Sequence, residues 1–167
     1  FRRMETVLRY KANFLERVKR SPEITLVTVG GGLNLIWEFA HSSLYTDGDR
    51  DAWYIVWTRI HCTVGDVMIL LFTFYGVSAV YRSRYWWKSE RVTPGVLFIM
   101  AGLSYTVWSE WYNINVAQTW EYTTSMPTVF GFGLSPLLQW VVGPLVVLWR
   151  LKSTVVPKKI SIDVNTN

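Results

Sequence analysis

Four stretches of the chain are apolar over about twenty residues, and polar stretches separate them. They cover residues 24–45, 61–80, 94–112 and 128 or 134–151. A helix needs about 20 mostly apolar residues to cross a bilayer, and lipid offers no partner to an unpaired backbone N–H or C=O. The pattern therefore predicts an all-α, polytopic membrane protein with four transmembrane helices.

The first twenty residues have a different pattern. Apolar residues recur there at helical spacing with Lys and Arg between them: Met4, Val7, Leu8, Phe14, Leu15 and Val18. This spacing predicts a basic amphipathic helix that lies on the membrane surface. We therefore divide the chain into an interfacial helix (residues 1–21), a four-helix transmembrane bundle (residues 22–152) and a flexible cytoplasmic tail (residues 153–167).

The distribution of charge predicts the orientation of these helices. Only 17 % of the residues are charged, below the roughly 25 % of soluble domains. Lys and Arg are concentrated in residues 1–20, 82–91 and 150–159, whereas residues 113–128 contain none. Positive residues are retained on the cytoplasmic side, so both termini are expected there, in the inner membrane of a bacterium. The net charge of +5 is segregated in this way, which argues against a nucleic-acid partner.

Each predicted span carries polar side chains near its outer end. They are Glu38 and His41 in the first span, His61 and Asp66 in the second, Glu110 in the third, one turn before Asn113, and Gln139 in the fourth. A charged residue inside a membrane helix costs about 2.5–3.5 kcal/mol unless it is paired, protonated or in contact with water. We therefore expect these side chains to meet in one polar pocket that opens outward.

The expected pocket contains two groups of candidate residues. The acids Glu38, Asp66 and Glu110 are the candidates for catalysis. The candidates for ligand binding carry imidazole, amide or indole groups, and they are His41, His61, Asn113, Gln139, Trp37, Trp108, Trp111 and Trp140. Glu38 and His41 are three residues apart and share a helix face, whereas His61 and Asp66 are about 140° apart around a helix.

Part of this pattern resembles a known family. An acid in each of the first three spans, with Gln-Trp at 139–140 and Gly-Pro at 143–144, resembles the EXPERA domain of emopamil-binding sterol isomerases. In that family, acids and a histidine surround a sterol whose double bond moves through a cation stabilised by tryptophan. The resemblance implies that Glu38, Asp66 and Glu110 form the acidic set and that Trp140 faces the cation, but His61 is out of the family's register.

Two other resemblances concern short strings. The string NLIWE at residues 34–38 is similar to a segment of integral-membrane terpene cyclases, which protonate an epoxide or alkene but have more spans. WEFAH, HCTVGD and GLSPLLQW, which begin at residues 37, 61 and 133, resemble a group of uncharacterised small bacterial membrane proteins. The second resemblance implies no activity.

Three functions remain open at this point, beside a purely structural interhelical network. The first is binding of a lipid or another apolar small molecule, or an accessory role beside other membrane subunits. Residues 113–136, which are aromatic and contain no Lys or Arg, are long enough to cover the pocket or to contact such a partner. The second is acid–base isomerisation or cyclisation of a sterol-like or terpenoid lipid, because a desolvated carboxyl can stay protonated at neutral pH.

The third open function is metal or haem binding. Glu38 and His41 have the Glu-x-x-His spacing of di-iron bundles, and His41 with His61 could ligate a haem. A di-iron bundle needs two such motifs, however, and the chain has one. The single cysteine, Cys62, excludes a multi-cysteine site and an internal disulfide. We therefore assign no metal ligands, and the cofactor is unknown.

Overall fold

The computed structural model describes residues 21–46 and 50–154, which are mostly helical. The first helical segment consists of α1 (Pro22–Thr25), a π-helical turn (Leu26–Gly30) and α2 (Gly31–Ala40). It is followed by α3 (Ala52–Val80), α4 (Thr93–Asn115) and α5 (Leu134–Ser153). A short antiparallel hairpin, β1 (Thr128–Val129) with β2 (Phe132–Gly133), precedes α5. The all-α class is therefore confirmed.

Two predicted elements cannot be compared with this fold. The interfacial helix falls on residues 1–20, and most of the tail falls on residues 155–167, and both ranges lie outside the described residues. Of the predicted tail, Ser153 ends α5 and Thr154 follows it as the C-cap.

The four helical segments pack in a ring that follows the order of the chain. The first segment contacts α3, α3 contacts α4, α4 contacts α5, and α5 contacts the first segment. The hydrophobic core lies in the half of the ring nearer the Lys- and Arg-rich connection 82–91. It consists of Leu26, Leu70, Phe74, Val77, Trp86, Trp87, Phe98, Trp140, Val147, Leu148 and Leu151.

Two glycines allow neighbouring helices to approach closely. A Cβ at Gly30 would lie 2.6 Å from Cδ1 of Leu70, and one at Gly102 would lie 2.4 Å from Cε3 of Trp140. Distances below 3.0 Å are not found for real Cβ atoms. The indole of Trp140 therefore fills the space that the missing side chain of Gly102 leaves between α4 and α5.

Helix α3 begins nine residues earlier than the apolar pattern predicts. Asp51 caps it, and its carboxylate accepts a hydrogen bond of 2.7 Å from the backbone N–H of Tyr54. A span that begins at residue 61 leaves Arg59 in the connection before it. This boundary was wrong, because Arg59 lies within α3 and is only 4 % exposed.

Two of the helices, α3 and α5, are long and apolar enough to cross a membrane. Only 17 % of the residues in the most apolar 18-residue stretch of α3 are buried inside the protein. The core helix of a soluble protein, by contrast, is mostly buried. The first segment is divided by the π-helical turn into pieces of 4, 5 and 10 residues. Length and composition thus support membrane association through α3 and α5.

An ion pair joins the start of the first segment to the connection between α3 and α4. Nη2 of Arg84 lies 2.6 Å from Oε2 of Glu23, and the hydroxyl of Tyr75 donates a hydrogen bond of 3.0 Å to Oε1. Burial raises the pKa of Glu23, but the hydrogen bonds from Arg84, Ser21 and Tyr75 outweigh it and lower the pKa to about 2. Glu23 is therefore an ionised anchor at this end of the ring.

Candidate functional site

The amide of Gln139 connects three helices in the half of the ring opposite this ion pair. Its Nε2 atom donates to Oδ1 of Asn34 at 3.1 Å and to Oδ2 of Asp66 at 3.0 Å, and it lies 3.4 Å from Oε1 of Glu38. Gln139, Asn34 and Glu38 are each less than 10 % exposed. The structure thus brings together predicted site residues of the first, second and fourth spans.

A serine extends this network to a histidine and a tryptophan. The Ser135 hydroxyl lies 3.0 Å from Nδ1 of His41 and accepts a hydrogen bond of 3.1 Å from Nε1 of Trp37. The other ring nitrogen of His41, Nε2, lies 3.3 Å from Oε1 of Glu38. His41 therefore lies between a hydroxyl and a carboxylate.

Arg59 brings a positive charge to the same place. Its Nη1 atom lies 4.0 Å from Oε2 of Glu38, and its guanidinium lies over the ring of Tyr45, 5.6 Å from the centroid. These interconnected side chains of α2, α3 and α5 form what we call the polar cluster. It includes His41, the residue that follows the last residue of α2. The polar cluster consists of Asn34, Glu38, His41, Arg59, Asp66, Ser135 and Gln139.

The third predicted acid, Glu110, lies beside the polar cluster and bonds to a tyrosine. The hydroxyl of Tyr122 donates a hydrogen bond to Oε2 of Glu110 and accepts one of 2.9 Å from the backbone N–H of Gly133. Burial and the hydrogen bond to Glu110 raise the pKa of Tyr122, so that its hydroxyl stays protonated and remains a donor. Tyr122 therefore ties the connection before α5 to the end of α4.

That connection covers the polar cluster. Backbone bonds join it to the end of the first segment, from Thr46 N to Glu121 O at 3.1 Å and from Thr123 N to Leu44 O at 2.9 Å. Under it lies Tyr45, whose ring centroid is 5.7 Å from that of Tyr122 and 5.3 Å from that of His41. The sequence predicted an open pocket. The structure instead has a closed cluster, because the rings of Tyr45 and Tyr122 fill its mouth.

Six of the eight predicted ligand-binding residues lie outside the polar cluster, and Trp37 is the one of these that hydrogen-bonds to a member of it, Ser135. His61, Trp108 and Trp111 are exposed, since they are offset by about 100° to 160° from Asp66 or Glu110 around their helices. Asn113 bonds to Ser109 and Thr119 at the end of α4. Trp140, the expected cation-facing ring, belongs to the hydrophobic core because it packs against Gly102. The expected tryptophan lining is therefore reduced to Trp37.

The sequence analysis missed four members of this site, and helical spacing could have found three of them. Asn34 precedes Glu38 by one turn, Ser135 precedes Gln139 by one turn, and Arg59 precedes Asp66 by two turns. Residues with these separations share a helix face. Tyr122 had no such signal, because it lies in an irregular connection whose path depends on tertiary contacts.

No protein-family model matches the chain, and no curated protein or solved structure is significantly similar to it.

A metal or haem centre receives no support from this geometry. Among residues 21–46 and 50–154, no three His, Cys, Asp or Glu side chains are grouped so that they could hold a metal ion. His41 is buried, whereas His61 is on an exposed face of α3, so the two imidazoles do not face a common haem.

Among the residues that the structure describes, the acids of this site outnumber its basic groups. The acids are Glu38, Asp66 and Glu110, and the basic groups are the guanidinium of Arg59 and the imidazole of His41, both of which lie near Glu38. Even with His41 protonated, ionisation of all three acids would leave an excess negative charge. Buried charge of this kind is costly unless protons or a ligand neutralise it. The site can therefore hold protons or accept a hydrogen-bond-donating group.

Proposed function

We propose that this chain is a four-span integral membrane protein, with both termini in the cytoplasm, that binds an amphiphilic lipid-like ligand at the polar cluster. The observation that carries the proposal is the single amide of Gln139, which connects Asn34, Glu38 and Asp66 inside the ring of helices. Such a concentration of buried acids is expensive for a purely structural role.

The apolar outer surface of the ring supports the membrane part of the proposal. Each helical segment exposes large hydrophobic side chains: Ile36 is 69 % exposed, Phe72 70 %, Met100 49 % and Leu145 49 %. A soluble monomer rarely exposes apolar side chains on every side, since contiguous patches beyond a few hundred Å² promote association. In a bilayer the same side chains contact lipid without penalty.

The excess of buried acid supports the ligand part. A hydroxyl or amine group donates hydrogen bonds to carboxylates, whereas a carboxylate or phosphate group would add to the negative charge beside Glu38 and Asp66. An apolar ligand with a donor group therefore suits the site better than an acidic one. Tyr45 and Tyr122 pack together over the cluster, and the low local dielectric of such a covered site strengthens each hydrogen bond.

The experiment is to purify the protein in a mild detergent and to analyse the co-purified small molecules by lipid mass spectrometry, with Asp66→Asn as the isosteric comparison. A molecule with a hydroxyl or amine group, near one per protein and depleted in Asp66→Asn, is the expected result. Its absence, or equal retention by the variant, would contradict ligand binding at the cluster. A polypeptide retained at fixed stoichiometry in its place would favour an accessory subunit instead.

A second candidate is an acid–base isomerase or cyclase of a sterol-like or terpenoid lipid. The observation that favours it is the contact of 3.3 Å between Nε2 of His41 and Oε1 of Glu38, because such a pair can deliver and remove a proton. The aromatic ring nearest this pair is that of Tyr45, and not Trp140 as the family resemblance implies. In this case Glu38→Gln should abolish conversion of the co-purified lipid while the folded protein still binds it. Retained turnover would exclude Glu38 as the acid.

A further inference from the structure

A narrow apolar groove runs along the outside of the ring between α3 and α4. Its volume is about 740 Å³, and its walls include Gly65, Phe72, Gly76 and Val80 of α3 and Leu97 and Tyr105 of α4. The two glycines make room for it, because a Cβ at either position would have no neighbour within 4 Å. None of these side chains carries a charge at neutral pH, so the groove suits an uncharged, apolar occupant.

The groove begins beside the polar cluster. Asp66 directly follows Gly65, and the groove residues Ile69 and Thr73 lie three and seven residues further along the same side of α3. Asp66 is partly exposed, whereas the other two acids of the site, Glu38 and Glu110, are buried. The carboxylate of Asp66 is therefore the group of the cluster nearest to this groove.

The groove is long enough for one extended hydrocarbon chain. From Gly65 to Val80 the helix rises about 22 Å, which exceeds the roughly 15 Å half-thickness of a bilayer's hydrocarbon core. A single lipid chain can therefore lie along the groove with its polar end at the level of Asp66.

We infer that this groove holds the single apolar chain of the ligand, and that a hydroxyl or amine at the end of that chain enters the polar cluster sideways from the bilayer, next to Asp66. The inference rests on the proposed function and adds to it the class of ligand and the route. Entry from the side agrees with the closed outer mouth, where Tyr122 bonds to Glu110 and Gly133.

The test uses hexadecanol that carries a photoreactive diazirine at the end of its chain, added to the purified full-length protein in nanodiscs. Crosslinked peptides are identified by mass spectrometry, and unlabelled hexadecanol serves as the competitor. Gly76→Leu fills the groove. Gly32→Leu is the matched control, because Gly32 also has no neighbour within 4 Å of a Cβ but lies on α2, away from the groove.

We expect saturable labelling of groove residues at the end away from Asp66, such as Val80 and Leu97, because the diazirine is at the far end of the chain. Gly76→Leu should reduce it about ten-fold, the change that corresponds to a loss of about 1.4 kcal/mol, whereas Gly32→Leu should leave it unchanged. A matched diazirine probe with a carboxylate group should label more weakly than the alcohol, because the acids of the cluster repel it. Equal labelling by the two probes would overturn the inferred ligand class.

Two other outcomes separate this inference from the proposed function. A second groove is lined by Leu103, Phe130 and Leu138. If the saturable labelling maps to this second groove and is abolished by Asp66→Leu, the inferred route is refuted, but ligand binding at the polar cluster is still supported. Labelling that hexadecanol does not compete away, and that Asp66→Leu does not change, would indicate ordinary annular lipid. That result would refute both proposals.

Discussion

Replacement of Gln139 by leucine tests whether the polar cluster holds the helices together. The substitution places an apolar side chain of similar size in α5 and removes the donor to Asn34, Asp66 and Glu38. An amide nitrogen has two N–H groups, so at most two of the three contacts are full hydrogen bonds at one time. The variant therefore loses about two buried hydrogen bonds and leaves their acceptors without a donor.

The expected loss of stability follows from these two bonds. Hydrogen bonds between membrane helices contribute about 0.6 kcal/mol each on average and at most about 1.7 kcal/mol. Buried acceptors that lose a donor cost about 1–3 kcal/mol. We therefore expect Gln139→Leu to lower the free energy of unfolding by about 2 kcal/mol. For a chain of this size that corresponds to a fall in Tm of about 4–8 °C.

The assay is thermal unfolding in detergent, followed by tryptophan fluorescence. Asn115→Leu is the control, because this amide is exposed and bonds only within its own helix, to Trp111 O at 3.0 Å. Its effect should stay within about 0.5 kcal/mol. Gln139→Leu and Asp66→Leu should also be non-additive in a double-mutant cycle, since each removes one partner of the same hydrogen bond. A Gln139→Leu protein with unchanged Tm, or full additivity, would refute a cluster that stabilises the ring.

Three further predictions concern packing, pH and topology. Gly102→Ala should destabilise the protein by about 1–3 kcal/mol in the same thermal assay, because the new Cβ would overlap the indole of Trp140. Gly95→Ala is the control and should not destabilise it, because the nearest atom to its Cβ would be 3.4 Å away. The ion pair of Glu23 contributes its full stabilisation above pH 4.5, the pKa of the carboxyl in the unfolded chain, and this stabilisation is lost as the pH falls toward about 2. Glu23→Gln should remove this pH-dependent part of the stability, which is up to about 1 kcal/mol. A variant whose Tm depends on pH as that of the original protein does would contradict the prediction. In a cysteine-free background, a cysteine at Ser89 should react with an impermeant maleimide only in inverted vesicles. A cysteine at Ser125 should react only in right-side-out vesicles. Reaction of both cysteines in vesicles of one orientation would refute the four-span topology.

Helical spacing explains which parts of the site were predictable. The level of Glu38, Asp66 and Gln139 along their helices follows from the period of the helix and the depth of each apolar stretch. The same period could also have placed Arg59 on the side of Asp66. It was missed because the start of α3 depends on a cap at Asp51, and the apolar pattern does not register a cap. Trp108 and Trp111 were included by depth alone, although their angles around α4 point them away from Glu110.

The sequence by itself determined that the chain forms long apolar helices with acids and amides near one end, because apolar length and helical period are local properties. Tertiary structure alone decided that the amide of Gln139 lies between Asn34 and Asp66, that Trp140 fills the space at Gly102, and that two tyrosines close the outer mouth. These contacts join residues that are far apart in the chain. They depend on how the helices rotate and approach one another, which no single segment specifies.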